Sequence, residues 1–148
     1  MKFFKATAAY LLAVAATTVL GSISATQFVL AELRTMQVDV PLSVRFETTI
    51  HDVIGMSPTY APIVAGALLV AFLVAALFTH FVPLPRRRWY LVGGFVGIIA
   101  ALLLVKAMLG GTPISGAKDS LGLIAQGIAG MCGGWIFATL CPEKEQRT

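Results

Sequence analysis

Four stretches of the chain are almost continuously apolar: 6–25, 62–82, 89–109 and 120–140. Each is close to the roughly 20 residues a helix needs to cross the hydrocarbon core of a bilayer. Only the third holds a charge, at Lys106. Between the first two the pattern changes. In PLSVRFETTIHDVI, residues 41–54, apolar positions recur at helical spacing. At 100° per residue, Leu42, Phe46, Ile50 and Val53 gather within about 80°, with Ile54 at the edge. Arg45, Thr48, His51 and Asp52 fall opposite, and Val44 alone breaks the pattern. Pro41 suits a first helical turn and Asp39 a helix N-terminus. Gly55 and Pro58 predict the end of this helix. The pattern predicts an all-α membrane protein. Its 148 residues form one integral membrane domain, a bundle of four transmembrane helices. A separate extracytoplasmic amphipathic helix lies between spans 1 and 2. The good helix formers of TQFVLAELRTMQ predict that the first span continues beyond the membrane.

Composition agrees with lipid as the main solvent. Charged residues are 12% of the chain, against about 25% in an ordinary soluble domain. Hydrophobic residues make up 57%, and mean hydropathy is +0.85. The net charge of +4 does not point to nucleic acid. Its densest part, Arg86, Arg87 and Arg88, is wedged between two spans and offers no face that tracks phosphates.

Charge position also sets an expected orientation. Lys2, Lys5, the arginine triplet, Lys144 and Arg147 share one side, and Arg34, Arg45, Lys106 and Lys118 the other. Basic residues favour the cytoplasm, so both termini are expected there, in a multi-pass protein of a bacterial inner (plasma) membrane. The connection between the first two spans sets Arg34 and Arg45 against Glu32, Asp39, Glu47 and Asp52, a formal −2 that suits the outer side. Trp89 and Tyr90 are placed as interfacial anchors. The N-terminus also resembles a signal peptide, but its apolar run exceeds the usual 7–15 residues, and an uncleaved first span is expected.

Segment 41–54 is then read as a lid lying on the outer face, its apolar side towards lipid or the tops of the spans, with Phe46, His51 and Asp52 as its candidate residues. Docking onto a partner subunit, or chemistry by His51 or Asp52, are the alternatives. Beneath it the rare intramembrane polar groups coincide in depth. At 1.5 Å per residue, Lys106 lies about 25 Å above Trp89, and Gln126 about 9 Å below Ser120. Thr18, Ser22 and Thr26 share a face of the first span in the same half. Thr18, Ser22, Lys106 and Gln126 form the candidate polar pocket, since an intramembrane ionisable group is a functional-site hypothesis by default. Snorkelling of Lys106 to the surface competes with that reading, and interhelical hydrogen bonding competes for Gln126 and the hydroxyls.

Small residues predict packing. Gly93 and Gly97 on the third span, and Gly130 and Gly134 on the fourth, stand at G-x-x-x-G spacing. Ala67, Ala71 and Ala75 repeat every four residues on the second. Such faces let helix backbones approach closely, so spans three and four are expected as a tight antiparallel pair. Oligomerisation is the other use of a glycine face.

Catalytic signatures are missing from the sequence. Cys132 and Cys141 are nine residues apart on one helix, about 13.5 Å, beyond disulfide reach. His51 and His80 belong to opposite surfaces, so they cannot ligate one haem. Every Asp and Glu lies outside the four spans. No P-loop or nucleophile elbow occurs, and no cofactor or metal is expected. The expected function is therefore non-enzymatic: an accessory or interaction subunit of a larger membrane assembly. Its expected partners are membrane lipids and either other membrane subunits or further copies of itself. The alternative is a transporter or binding protein for a small amphiphile or anion, using the polar pocket.

Overall fold

In the computed structural model, which describes residues 2–36, 41–82, 85–109 and 120–141, the chain forms four helices. They are α1 (Lys2–Thr35), α2 (Leu42–Phe81), α3 (Arg86–Leu109) and α4 (Ser120–Leu140). No strand occurs among the described residues, and all four helices are long and apolar enough to cross a membrane. The connection at 110–119 lies outside the described residues, as do Asp39, Lys118, Lys144 and Arg147, which entered the charge argument. The helices pack as a ring in which α1 and α3 each touch both α2 and α4, while α2 and α4 barely meet.

α2 differs from expectation. Segment 41–54 is not a separate helix but the first third of one 40-residue rod that passes through Gly55, Pro58 and Pro62. A proline inside a helix removes one backbone hydrogen bond and costs about 3 kcal/mol. Stopping the helix instead would leave up to four carbonyls at the new end without helical partners. The Ser57 hydroxyl binds the Val53 carbonyl in the turn that enters Pro58, and contacts with α1 hold the rod along its neighbour.

Continuity decides which side of 41–54 turns inward. The buried face of α2 runs through Tyr60, Val64, Leu68, Ala71, Phe72 and Ala75. Extended towards the N-terminus at the same three-and-four spacing, it reaches Met56, Asp52, Thr49 and Arg45. The polar side therefore faces α1. The apolar side, expected to face lipid or the tops of the spans, is turned away from the bundle. Leu42 is 70% exposed, Phe46 71%, Ile50 59% and Ile54 69%.

At the opposite end an aromatic cluster draws on all four helices. Phe72 stacks on Phe137 at 4.5 Å, and Tyr90 packs on Phe137 at 5.1 Å and on Phe72 at 5.5 Å. Tyr10 completes it edge-on to Phe72, its hydroxyl donating to the Ala65 carbonyl at 2.6 Å. Tyr90 is thus a core residue and not the interfacial anchor expected. Arg86 and Arg87 both turn to α4. Arg86 donates to the Cys141 carbonyl at 2.6 Å, and Arg87 lies 5.6 Å over the Trp135 ring.

Glycine sets the spacing of α3 from its two neighbours: the expected pair Gly130 and Gly134 faces α3, whereas the pair on α3 faces α2. Gly93 and Gly97 face α2, where a Cβ on Gly97 would stand 2.6 Å from that of Ala71. The α3–α4 contact is made by Gly94 against Gly130 and by Tyr90 against Gly134, backbone on backbone. Gly94 lies outside the G-x-x-x-G pairs, yet a Cβ on it would meet the Gly130 carbonyl. Gly130 and Gly134 are buried inside the bundle and are not free to serve a second copy.

Candidate functional site: a polar seam along the first helix

α1 carries Thr17, Thr18, Ser22 and Thr26, all buried, among Ala9, Ala13, Val14, Ala25 and Leu30. Thr17 contacts α4, its hydroxyl 3.4 Å from the Ala129 carbonyl. One turn on, Gly21 lets two large polar side chains reach the α1 backbone. A Cβ there would come within 2.6 Å of the Tyr60 hydroxyl and 2.7 Å of Gln126 Oε1. Gln126 uses both ends of its amide. Its Nε2 donates to the Gly21 carbonyl at 2.9 Å, and its Oε1 accepts from the Tyr60 hydroxyl at 2.6 Å. Three helices are joined by two bonds at a point 1% exposed.

The seam then continues between α1 and α2. The Thr26 hydroxyl lies 3.0 Å from both Asp52 Oδ2 and the Ser22 carbonyl, so its proton has two acceptors. Farther along, Arg45 Nη2 donates to Gln27 Oε1 at 2.8 Å, and Gln27 Nε2 donates to Thr49 Oγ1 at 3.3 Å. Thr49 in turn donates to the Arg45 carbonyl at 2.7 Å. This ladder pins the polar side of α2 to α1 beyond the start of α4. Measured from the Tyr60–Gln126 contact, α4 extends about 9 Å to Ser120, whereas α2 extends about 27 Å to Leu42. The paired ends of α1 and α2 form a stalk.

Of the four residues expected in a polar pocket, Thr18, Ser22 and Gln126 are buried in the bundle and Lys106 is not. Lys106 is exposed near the end of α3 and joins none of the hydrogen bonds of the seam. The hydroxyls of Thr18 and Ser22 are buried without a partner. Gln126 is fully occupied by the bundle itself. Asp52 of the expected lid is bonded to Thr26, while Phe46 and His51 are exposed on the stalk. Tyr60 was not among the expected residues, because Pro58 was taken to separate it from the span. Its spacing of four from Val64 is the signal that places it on the buried face.

Replacing Lys106 with methionine is expected to leave thermal unfolding in detergent unchanged within about 0.5 kcal/mol. A large loss would return the lysine to the seam. Among the described residues no group of three or more His, Cys, Asp or Glu is placed to hold a metal ion. Comparison of the chain with protein-family models, with curated proteins and with solved structures finds no match in any of the three.

Proposed function

We propose that this protein is a non-enzymatic, multi-pass protein of a bacterial inner membrane, with both termini cytoplasmic. It acts as an accessory subunit that docks a partner through its stalk. The observation that carries this reading is the outward apolar stripe of Leu42, Phe46, Ile50 and Ile54. Ile54 stands level with the start of α4, and Phe46 and Leu42 about 12 and 18 Å beyond it. With α3 and α4 spanning a core of about 30 Å, the far half of the stripe stands in water on the outer side. Large apolar side chains in a row there are the mark of an interaction surface. The polar ladder from Arg45 to Asp52 keeps them from rotating inward. The partner these residues fit is an apolar helix face of another membrane subunit, met at i, i+4, i+8 and i+12.

Phe46→Asp with Ile50→Asp tests this directly. Each lost anchor at the centre of such a contact costs about 2 kcal/mol or more, roughly 30-fold in affinity. The doubly substituted protein is expected to fold and unfold as the parent does and to lose a stoichiometric partner on purification in mild detergent. Isolation of the parent chain from native membranes as a lone, monodisperse monomer would sink the reading.

A second reading rests on the unpartnered hydroxyls of Thr18 and Ser22: binding or transport of a small amphiphile or anion from the outer side. It has lost its cation, since Lys106 lies away from the seam. Uptake into reconstituted vesicles that falls in Thr18→Val/Ser22→Ala would favour it over the docking reading.

A further inference from the structure

We infer that the groove between α2 and α3 holds an acyl chain of an anionic phospholipid, whose phosphate is bound by Arg88. The groove has a volume of about 690 Å³. Its walls are apolar, with Gly66, Val70 and Val74 on α2 and Val92, Val96 and Ala100 on α3, and it is open along its outer side. One end is closed by Trp89 stacked on Phe78 at 5.2 Å. From Phe78 to Gly66 it runs about 18 Å along α2, slightly more than half of a 30 Å hydrocarbon core. That is the reach of one leaflet's chain, starting at the interface marked by the arginine triplet.

Charge identifies the lipid class. Arg86 and Arg87 are turned away to the Cys141 carbonyl and the Trp135 ring on α4. Arg88 is exposed, and among the described residues its side chain has no bonded partner. It precedes Val92 by four residues, so it stands one turn below Val92, on the open lip of the groove. A guanidinium at that point matches a phosphate geometrically as well as in charge. Phe81 and Leu77, on the opposite lip, are apolar and exposed, so the cation is on the α3 side. The site commits to a phospholipid, because free phosphate has no use for the apolar groove.

This inference rests on the transmembrane reading above but not on the stalk's partner. Trp89 lines the groove and reports on it. In Trp135→Phe, which retains a ring under Arg87, Trp89 is the sole tryptophan. The protein is reconstituted in phosphatidylcholine vesicles containing either phosphatidylglycerol or phosphatidylcholine brominated on its acyl chains. Trp89 fluorescence is expected to be quenched by both, with about fivefold tighter association of the anionic lipid, the contribution of one arginine near the surface. Arg88→Gln is expected to abolish the preference, and Arg34→Gln on the stalk to leave it. Gly66→Phe, at a position with open space for a side chain, is expected to weaken quenching by the anionic lipid. Equal quenching by the two lipids in the parent protein, or a preference that survives Arg88→Gln, overturns the site. Absence of quenching by either lipid overturns the transmembrane reading itself.

Discussion

Gly94→Val is expected to abolish the folded bundle in detergent, with a loss of more than about 3 kcal/mol. A Cβ at this position runs into the Gly130 carbonyl, and the obstacle is backbone, not a flexible side chain. Overpacking that a side chain absorbs costs about 1–3 kcal/mol. Here α3 and α4 have to separate along their length, undoing the Tyr90–Gly134 approach as well. Values beyond 4 kcal/mol are exceptional and signal such a mechanism. Gly66→Val is the matched control, since nothing lies within 4 Å of a Cβ there. Unfolding monitored by circular dichroism in mixed micelles compares the two. If both variants lost stability equally, helix propensity or lipid contact would explain the effect, and the backbone contact would not.

The second large effect is expected at Gln126. Leucine is close to it in volume, so Gln126→Leu removes two hydrogen bonds with little change in packing. Interhelical hydrogen bonds in membrane proteins average about 0.6 kcal/mol, with a maximum near 1.7. Leaving the buried Tyr60 hydroxyl and the Gly21 carbonyl unpaired adds desolvation of about 1–3 kcal/mol per group in the soluble-protein limit. Between these bounds a loss of about 2 kcal/mol is expected. Adding Tyr60→Phe removes one orphaned group, and the double variant is expected to recover part of that loss. Strict additivity of the two substitutions would show that the side chains do not act as a pair.

The residues that were easiest to place from the sequence were those governed by solvent. Continuous apolar stretches with a single charge mark the four long helices, and helix-forming residues after Thr26 carry α1 on to Thr35. The common level of Thr18, Ser22 and Gln126 followed from depth, because depth is residue count times rise. The facing of 41–54 did not. Its periodicity was legible, but Gly55 and Pro58 suggested a break, and a free amphipathic helix would place its apolar side down. Once the helix is continuous, its phase is inherited from Val64 and Leu68, and the polar side is carried inward with it. Lys106 was placed by depth, which carries no information about angle. Gly94 was missed for a related reason. Searching for paired glycines within one helix found Gly130 and Gly134, whereas their partner positions on α3, Gly94 and Tyr90, do not form such a pair.

The unbroken course of α2 has a mechanical consequence. Forty residues at 1.5 Å give a rod of about 60 Å, reaching from Leu42 at the stalk tip to Phe81. Pro58 and Pro62 each withhold a backbone donor, and they flank Tyr60, about 6 and 12 Å inside the level where α4 begins. The rod's bending stiffness is therefore lowest at that point. A sideways pull on Phe46 is shared with α1 through the Arg45–Gln27 and Asp52–Thr26 bonds, and flexure falls at the proline pair beside the Tyr60–Gln126 clasp.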